Sequence, residues 1–144
     1  MPGVTPQRLE NHARYVPLYH FVLGALLFLN FGHETLALRH YSPEVLFRWI
    51  VALALVLASI YARLFALAAQ NRVIRLELRL RVRELAPDVQ GRFDELNVEQ
   101  VVALRFAGDG ELAALTREVL EGRLRTGVEI KRRITDWKAD HWRV

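Results

Sequence analysis

The sequence predicts an all-α protein: a two-helix transmembrane hairpin whose second helix extends into a cytoplasmic stalk covered by a small helical domain. Three observations carry that expectation. Trp49 to Ala62 is a run of fourteen uncharged residues bounded by Arg48 and Arg63, and apolar sequence continues to Ala69. A weaker apolar stretch, Val16 to Gly32, precedes it. In the remainder, apolar residues recur at intervals of three and four, with neither strand alternation nor an internal repeat.

Residues 1–14 form a cytoplasmic N-terminal arm carrying Arg8 and Arg14. The hairpin follows over 15–69, with spans at about 15–36 and 45–69. Val16 to Gly32 alone would reach ~25 Å, short of a hydrocarbon core of ~30 Å, so the first span is extended to about Leu36. Pro17 fits its first turn, where no N–H partner is lost. His20 and Asn30 interrupt this stretch and are candidates for interhelical hydrogen bonds. A signal peptide would need a small-residue cleavage site, and Gly32-His33-Glu34-Thr35 is not one. The segment is expected to be retained. A soluble bundle would have to cover both apolar stretches on all sides, which 144 residues hardly allow.

Val45 to Ala69 spans ~37 Å as a helix. Arg48 and Arg63 are ~22 Å apart along it, so each guanidinium can reach the nearer interface while its methylenes stay in lipid. Tyr41, Trp49 and Tyr61 fall near the boundaries where amphipathic rings settle. The intervening loop, residues 33–44, sets Arg39 against Glu34 and Glu44, whereas Arg72, Arg75, Arg79, Arg81 and Arg83 follow the second span. The positive-inside rule places both termini in the cytoplasm. Eighteen arginines against two lysines suggest GC-rich bacterial coding, hence a bacterial inner membrane. Ala54, Ala58, Ala62 and Ala66 make a ladder of small residues that would let another backbone approach, with Gly24 and Ala25 as receivers within the chain. Ala52 lies off that stripe.

Residues 70–144 are the stalk and its cover. Nothing stops the second helix before Pro87. Arg72, Arg75, Arg79 and Arg83 share one face and are candidates for binding anionic lipid head groups. Leu76 and Leu80 flank that face, with Ile74, Leu78 and Leu85 opposite, so cover is expected on two sides. Asp88 to Leu96 reads as a short helix. Asn97-x-x-Gln100 and Thr126-x-x-Glu129 are capping boxes, the second opening a helix through Ile130, Ile134 and Trp137. Between them Gly108-Asp109-Gly110 is a break, with Asp109 expected to cap the helix of Leu112, Leu115 and Val119.

The chemistry is mostly one of exclusions. No cysteine means no disulfide and no thiolate catalysis. The five histidines, His12, His20, His33, His40 and His141, show no His-x-x-x-His spacing, and none pairs with a nearby acid in a ligand pattern except His33-Glu34. Net charge is +4, but residues 71–144 carry 15 basic and 13 acidic side chains, too even for a nucleic-acid face. Segment 94–134, with Lys131, Arg132 and Arg133, superficially resembles a helix-turn-helix. Glu111, Glu118, Glu121 and Glu129 would meet phosphate badly. No nucleophile–base pair, phosphate loop or metal motif is found, so no catalytic, cofactor-binding or metal residue is assigned.

Asn11-His12-Ala13-Arg14 with Val16-Pro17, then Arg72-Val73-Ile74-Arg75-Leu76-Glu77, Leu104-Arg105-Phe106-Ala107 and a terminal Arg143-Val144 resemble blocks of a family of small bacterial two-span membrane proteins. That family is a domain of unknown function. The resemblance covers nearly the whole chain, implies two spans and a cytoplasmic helical tail, and carries over no catalytic residue. The expected function is a non-enzymatic inner-membrane accessory subunit or self-associating interaction module, in contact with lipid and forming a homo-oligomer or larger complex. The alternative is a membrane-anchored regulator whose tail binds nucleic acid or anionic lipid.

Overall fold

A computed structural model describes residues 16–139, and every element in it is helical. The arm with Arg8 and Arg14, His12, His141, and the Asn11-to-Arg14 and Arg143-Val144 blocks lie outside the described residues. Two compact units are formed, by residues 16–67 and 68–139, and one helix contributes to both.

In the first unit a π-helical turn, Leu18–Leu23, leads into α1, Gly24–Ala37, and a 3-10 turn, Leu38–His40. Pro17 stands at the N-cap, where its ring breaks no hydrogen bond. Helix α2, Pro43–Leu85, starts on a proline at its first position, two residues before the expected span. The Tyr19 hydroxyl donates to the Ser59 carbonyl at 2.6 Å. At the other end Arg48 Nε donates to Glu34 Oε2 at 3.2 Å and Trp49 Nε1 to Thr35 Oγ1 at 3.1 Å. Pairing 19 with 59 and 34 with 48 makes α1 and this part of α2 antiparallel. Leu18, Phe28, Leu29 and Phe65 are exposed, the reverse of a water-soluble core. Leu18–His40 and Pro43–Leu85 are long and apolar enough to cross a membrane.

The second unit closes a conventional core. A 3-10 helix, Pro87–Glu95, replaces the short helix expected at 88–96. Then follow α3 (Val98–Leu104), α4 (Asp109–Leu120) and α5 (Gly127–Arg133). Ile74, Leu78, Val82 and Ala86, four residues apart along α2 and just beyond it, share one cluster with Phe93, Leu96, Leu104, Phe106, Leu112, Val119 and Ile130. Both capping boxes form as expected, Gln100 N–H donating to Asn97 Oδ1 at 2.9 Å and Glu129 N–H to Thr126 Oγ1 at 3.2 Å.

Three expectations are corrected. Gly108, not Asp109, is the N-cap of α4, and Asp109 turns its carboxylate to Arg81 instead. Helix α5 ends at Arg133, so Ile134 and Trp137 are not helical. Tertiary hydrogen bonds override the periodicity: Gly108 N–H donates to the Asp136 carbonyl at 2.7 Å, and Lys138 N–H to that of Phe106 at 2.8 Å. Trp137 is thereby set 5.2 Å from the Phe106 ring. Finally, among the described residues the 74–82 stretch of α2 is covered on one side, since Leu76 and Leu80 are exposed while Ile74, Leu78 and Val82 are buried.

Candidate functional site

The stretch of α2 from Asn71 to Leu85 concentrates the unusual chemistry of the second unit, because one helix serves as core, clamp and open surface. Its buried side is apolar at 74, 78 and 82, and arginines flank that stripe. Arg81 is the most embedded, with its side chain 18% exposed. Its guanidinium donates to the Arg105 carbonyl at 3.2 Å, the Ala107 carbonyl at 2.7 Å and Asp109 Oδ1 at 2.6 Å. These carbonyls lie where α3 has run out of helical partners, so Arg81 satisfies acceptors that the end of a helix leaves open. That hydrogen bond from Arg81, with a lesser one from Lys138, holds the Asp109 carboxyl below the usual range.

Arg75 donates to the Leu96 carbonyl and to Asp94, each at 3.1 Å, and Arg79 pairs with the same Asp94. Both guanidiniums stand over the Phe93 ring, 5.4 and 5.0 Å from its centroid. Two of the four head-group candidates are thus engaged within the unit. Arg72 and Arg83 are exposed and make no ion pair or hydrogen bond with other described residues. Arg72, Arg75, Leu76 and Arg79 line a groove of about 300 Å³.

Elsewhere in the unit, Asp88 takes a two-point bond from Arg117, at 2.9 Å on each oxygen, which lowers the Asp88 carboxyl and raises the Arg117 guanidinium. Burial raises the Glu111 carboxyl, but hydrogen bonds from the Thr135 hydroxyl and the Thr135 and Asp136 N–H groups outweigh it, leaving a net depression. These are fastenings. Among the described residues no three His, Asp or Glu side chains converge as a metal site.

In the first unit the helix-packing candidates do not meet. Ala54, Ala58 and Ala62 are exposed and Ala66 is half-buried. A Cβ added at Gly24 would find nothing within 4 Å. The face of α2 turned to α1 carries Trp49, Ala52 and Ser59, and Ala52, which lies off the ladder, is 1% exposed. Asn30 is exposed, while Tyr19, a residue the sequence did not single out, makes one of the hydrogen bonds between the helices. Arg81 was also missed as a site residue. A charged residue among 74, 78, 82 and 85 was the available signal, since such a side chain needs partners when its face is covered. Glu34, nearly buried beside His33 and Arg48, stood out in the sequence only in a charge count and as the acid next to His33.

Residues 4–144 match the family of unknown function DUF6526, and the chain belongs to that family. No curated protein and no solved structure matches it.

Proposed function

We propose that this family member is a non-enzymatic protein of the bacterial inner membrane, with α1 and the first part of α2 as a transmembrane hairpin and both termini in the cytoplasm. Residues 70–144 continue as a stalk and its helical cover, serving an accessory or self-associating role. The observation that carries the reading is the outward placement of Leu18, Phe28, Leu29 and Phe65, which lipid accommodates and water penalises at about 25 cal/mol per Å². The arginines from Arg72 to Arg83 support the orientation through the positive-inside rule. The exposed apolar side chains of Val73, Leu76 and Leu80 on an otherwise capped and clamped helical unit support an interaction role.

A second reading, binding of anionic lipid head groups, is supported by the groove of Arg72, Arg75, Leu76 and Arg79. Nucleic acid is disfavoured by the near balance of charge in residues 71–144.

Single cysteines test the orientation in intact cells with a membrane-impermeant maleimide. His40→Cys is expected to label from outside and Gln90→Cys only after the membrane is opened. The reverse pattern inverts the topology. Extraction of the chain by alkaline carbonate would remove the membrane reading altogether.

A further inference from the structure

Between Asn71 and Leu85, α2 divides cleanly by exposure. With Val73 and Leu80 at position a of a heptad, Leu76 falls at d, Arg72 and Arg79 at g, and Glu77 and Glu84 at e. Every residue at g, a, d and e from 72 to 84 is exposed. Every residue at b, c and f from 71 to 85 is buried or half-buried by the helical unit. Val73, Leu76 and Leu80 are 53%, 64% and 55% exposed. On a helical wheel this open face has an arginine flank, an apolar centre and a glutamate flank. Arg72, Glu77 and Glu84 make no ion pair with another described residue. Arg79 holds Asp94 through one nitrogen, leaving further N–H donors.

We infer that this face is the seat of a second copy of the chain, paired through α2 as a short parallel coiled coil. The inference rests on the self-associating, membrane-embedded reading above. The charges select the occupant. In a parallel pair each g residue meets the e residue of the following heptad on the other helix, so Arg72 faces Glu77 and Arg79 faces Glu84 across the dimer. An antiparallel pair would set arginine against arginine and glutamate against glutamate. Two copies inserted in one membrane with the same topology must run α2 in the same direction, which is the arrangement the charges favour. Arg83, at a d position, ends the seam, since a cation there has no apolar partner. Leu76 serves both this seam and the arginine-lined groove, so copy pairing and head-group binding would compete for one surface.

The full chain, free of native cysteine, is reconstituted in phosphatidylethanolamine–phosphatidylglycerol vesicles for disulfide trapping and mass measurement. Cysteine at Val73, Leu76 or Leu80 is expected to give a crosslinked dimer, and cysteine at the exposed Gln90 is not. Arg72→Glu should lower trapping at Leu76 about fivefold, and adding Glu77→Arg to it should restore the yield, because the pair is re-formed with its signs exchanged. Arg72 bonds no other described residue of its own unit, so its reversal removes no bond described there. An oligomeric mass without trapping at the seam overturns this surface while leaving self-association standing; a monomeric mass overturns both. Trapping at Gln90 equal to that at Leu76, or no rescue by the double reversal, overturns the paired-helix arrangement.

Discussion

Residues 16–67 and 68–139 solve opposite problems with the same kind of helix. In the first, large apolar side chains face outward and the helices are joined by a few polar contacts, Tyr19 to Ser59, Trp49 to Thr35 and Arg48 to Glu34. In the second, apolar side chains are gathered inside and the polar groups fasten loops and helix ends around them. The contrast teaches that hydrophobicity along a helix says little about its packing until the solvent is known. The same leucine is anchored to a core in one unit and left to the surroundings in the other.

The largest test of that contrast is a matched truncation. Leu104→Ala removes a fully buried side chain and is expected to cost ~2–5 kcal/mol of unfolding free energy, whereas Leu29→Ala, on the exposed side of α1, leaves no cavity and costs little. Thermal unfolding in mild detergent, followed by circular dichroism, reads both. Equal losses would mean that Leu29 is buried in an assembly, and the comparison would break there.

The sequence was informative wherever structure is local. Both capping boxes, the end of α2 before Pro87, and the apolar stripe of Ile74 and Leu78 follow from short-range rules, and they appear as expected. It misled where distant groups compete for the backbone. Ile134 and Trp137 keep a helical spacing, yet Glu111 and Gly108 capture the following segment from another helix. The candidate surface was half legible. The arginine stripe was plain in the spacing, but which of its members are occupied depends on Asp94, Leu96 and Phe93, up to 21 residues away. The covering of one apolar stripe and not the other is likewise a matter of domain size, which periodicity does not encode.

The alanines sharpen the comparison at an intermediate scale. Spacing favoured the ladder as the packed face, but Ala52 is the alanine enclosed between helices. Ala52→Leu should therefore overpack the helix pair at ~1–3 kcal/mol. Ala58→Leu, on the exposed side, should leave pair stability nearly unchanged. A detergent melt compares them, and a larger loss at Ala58 would show the ladder to be a contact between chains.

The smallest expected effect is pH dependence confined to the second unit. Because the folded-state pKa of Glu111 is depressed, its stabilisation is complete above the unfolded value near ~4.3 and is lost as pH falls through the lower folded value. Glu111→Gln should flatten the loss of stability below about pH 4, and an unchanged acid limb would assign that limb to other depressed carboxyls such as Asp88 and Asp109.

The one-sided cover of α2 also sets an order of events during synthesis. Ile74, Leu78 and Val82 are made well before Phe106, Leu112, Ile130 and Ile134, which later enclose them. From Val82 to Ile134 is 52 residues, or roughly 3–10 s at ~5–20 residues per second of synthesis. During that interval the nascent helix carries two bare apolar faces rather than one. If copies pair as proposed above, a neighbouring nascent copy would meet either face equally, until the arrival of Ile134 closes the first and leaves Val73, Leu76 and Leu80 exposed.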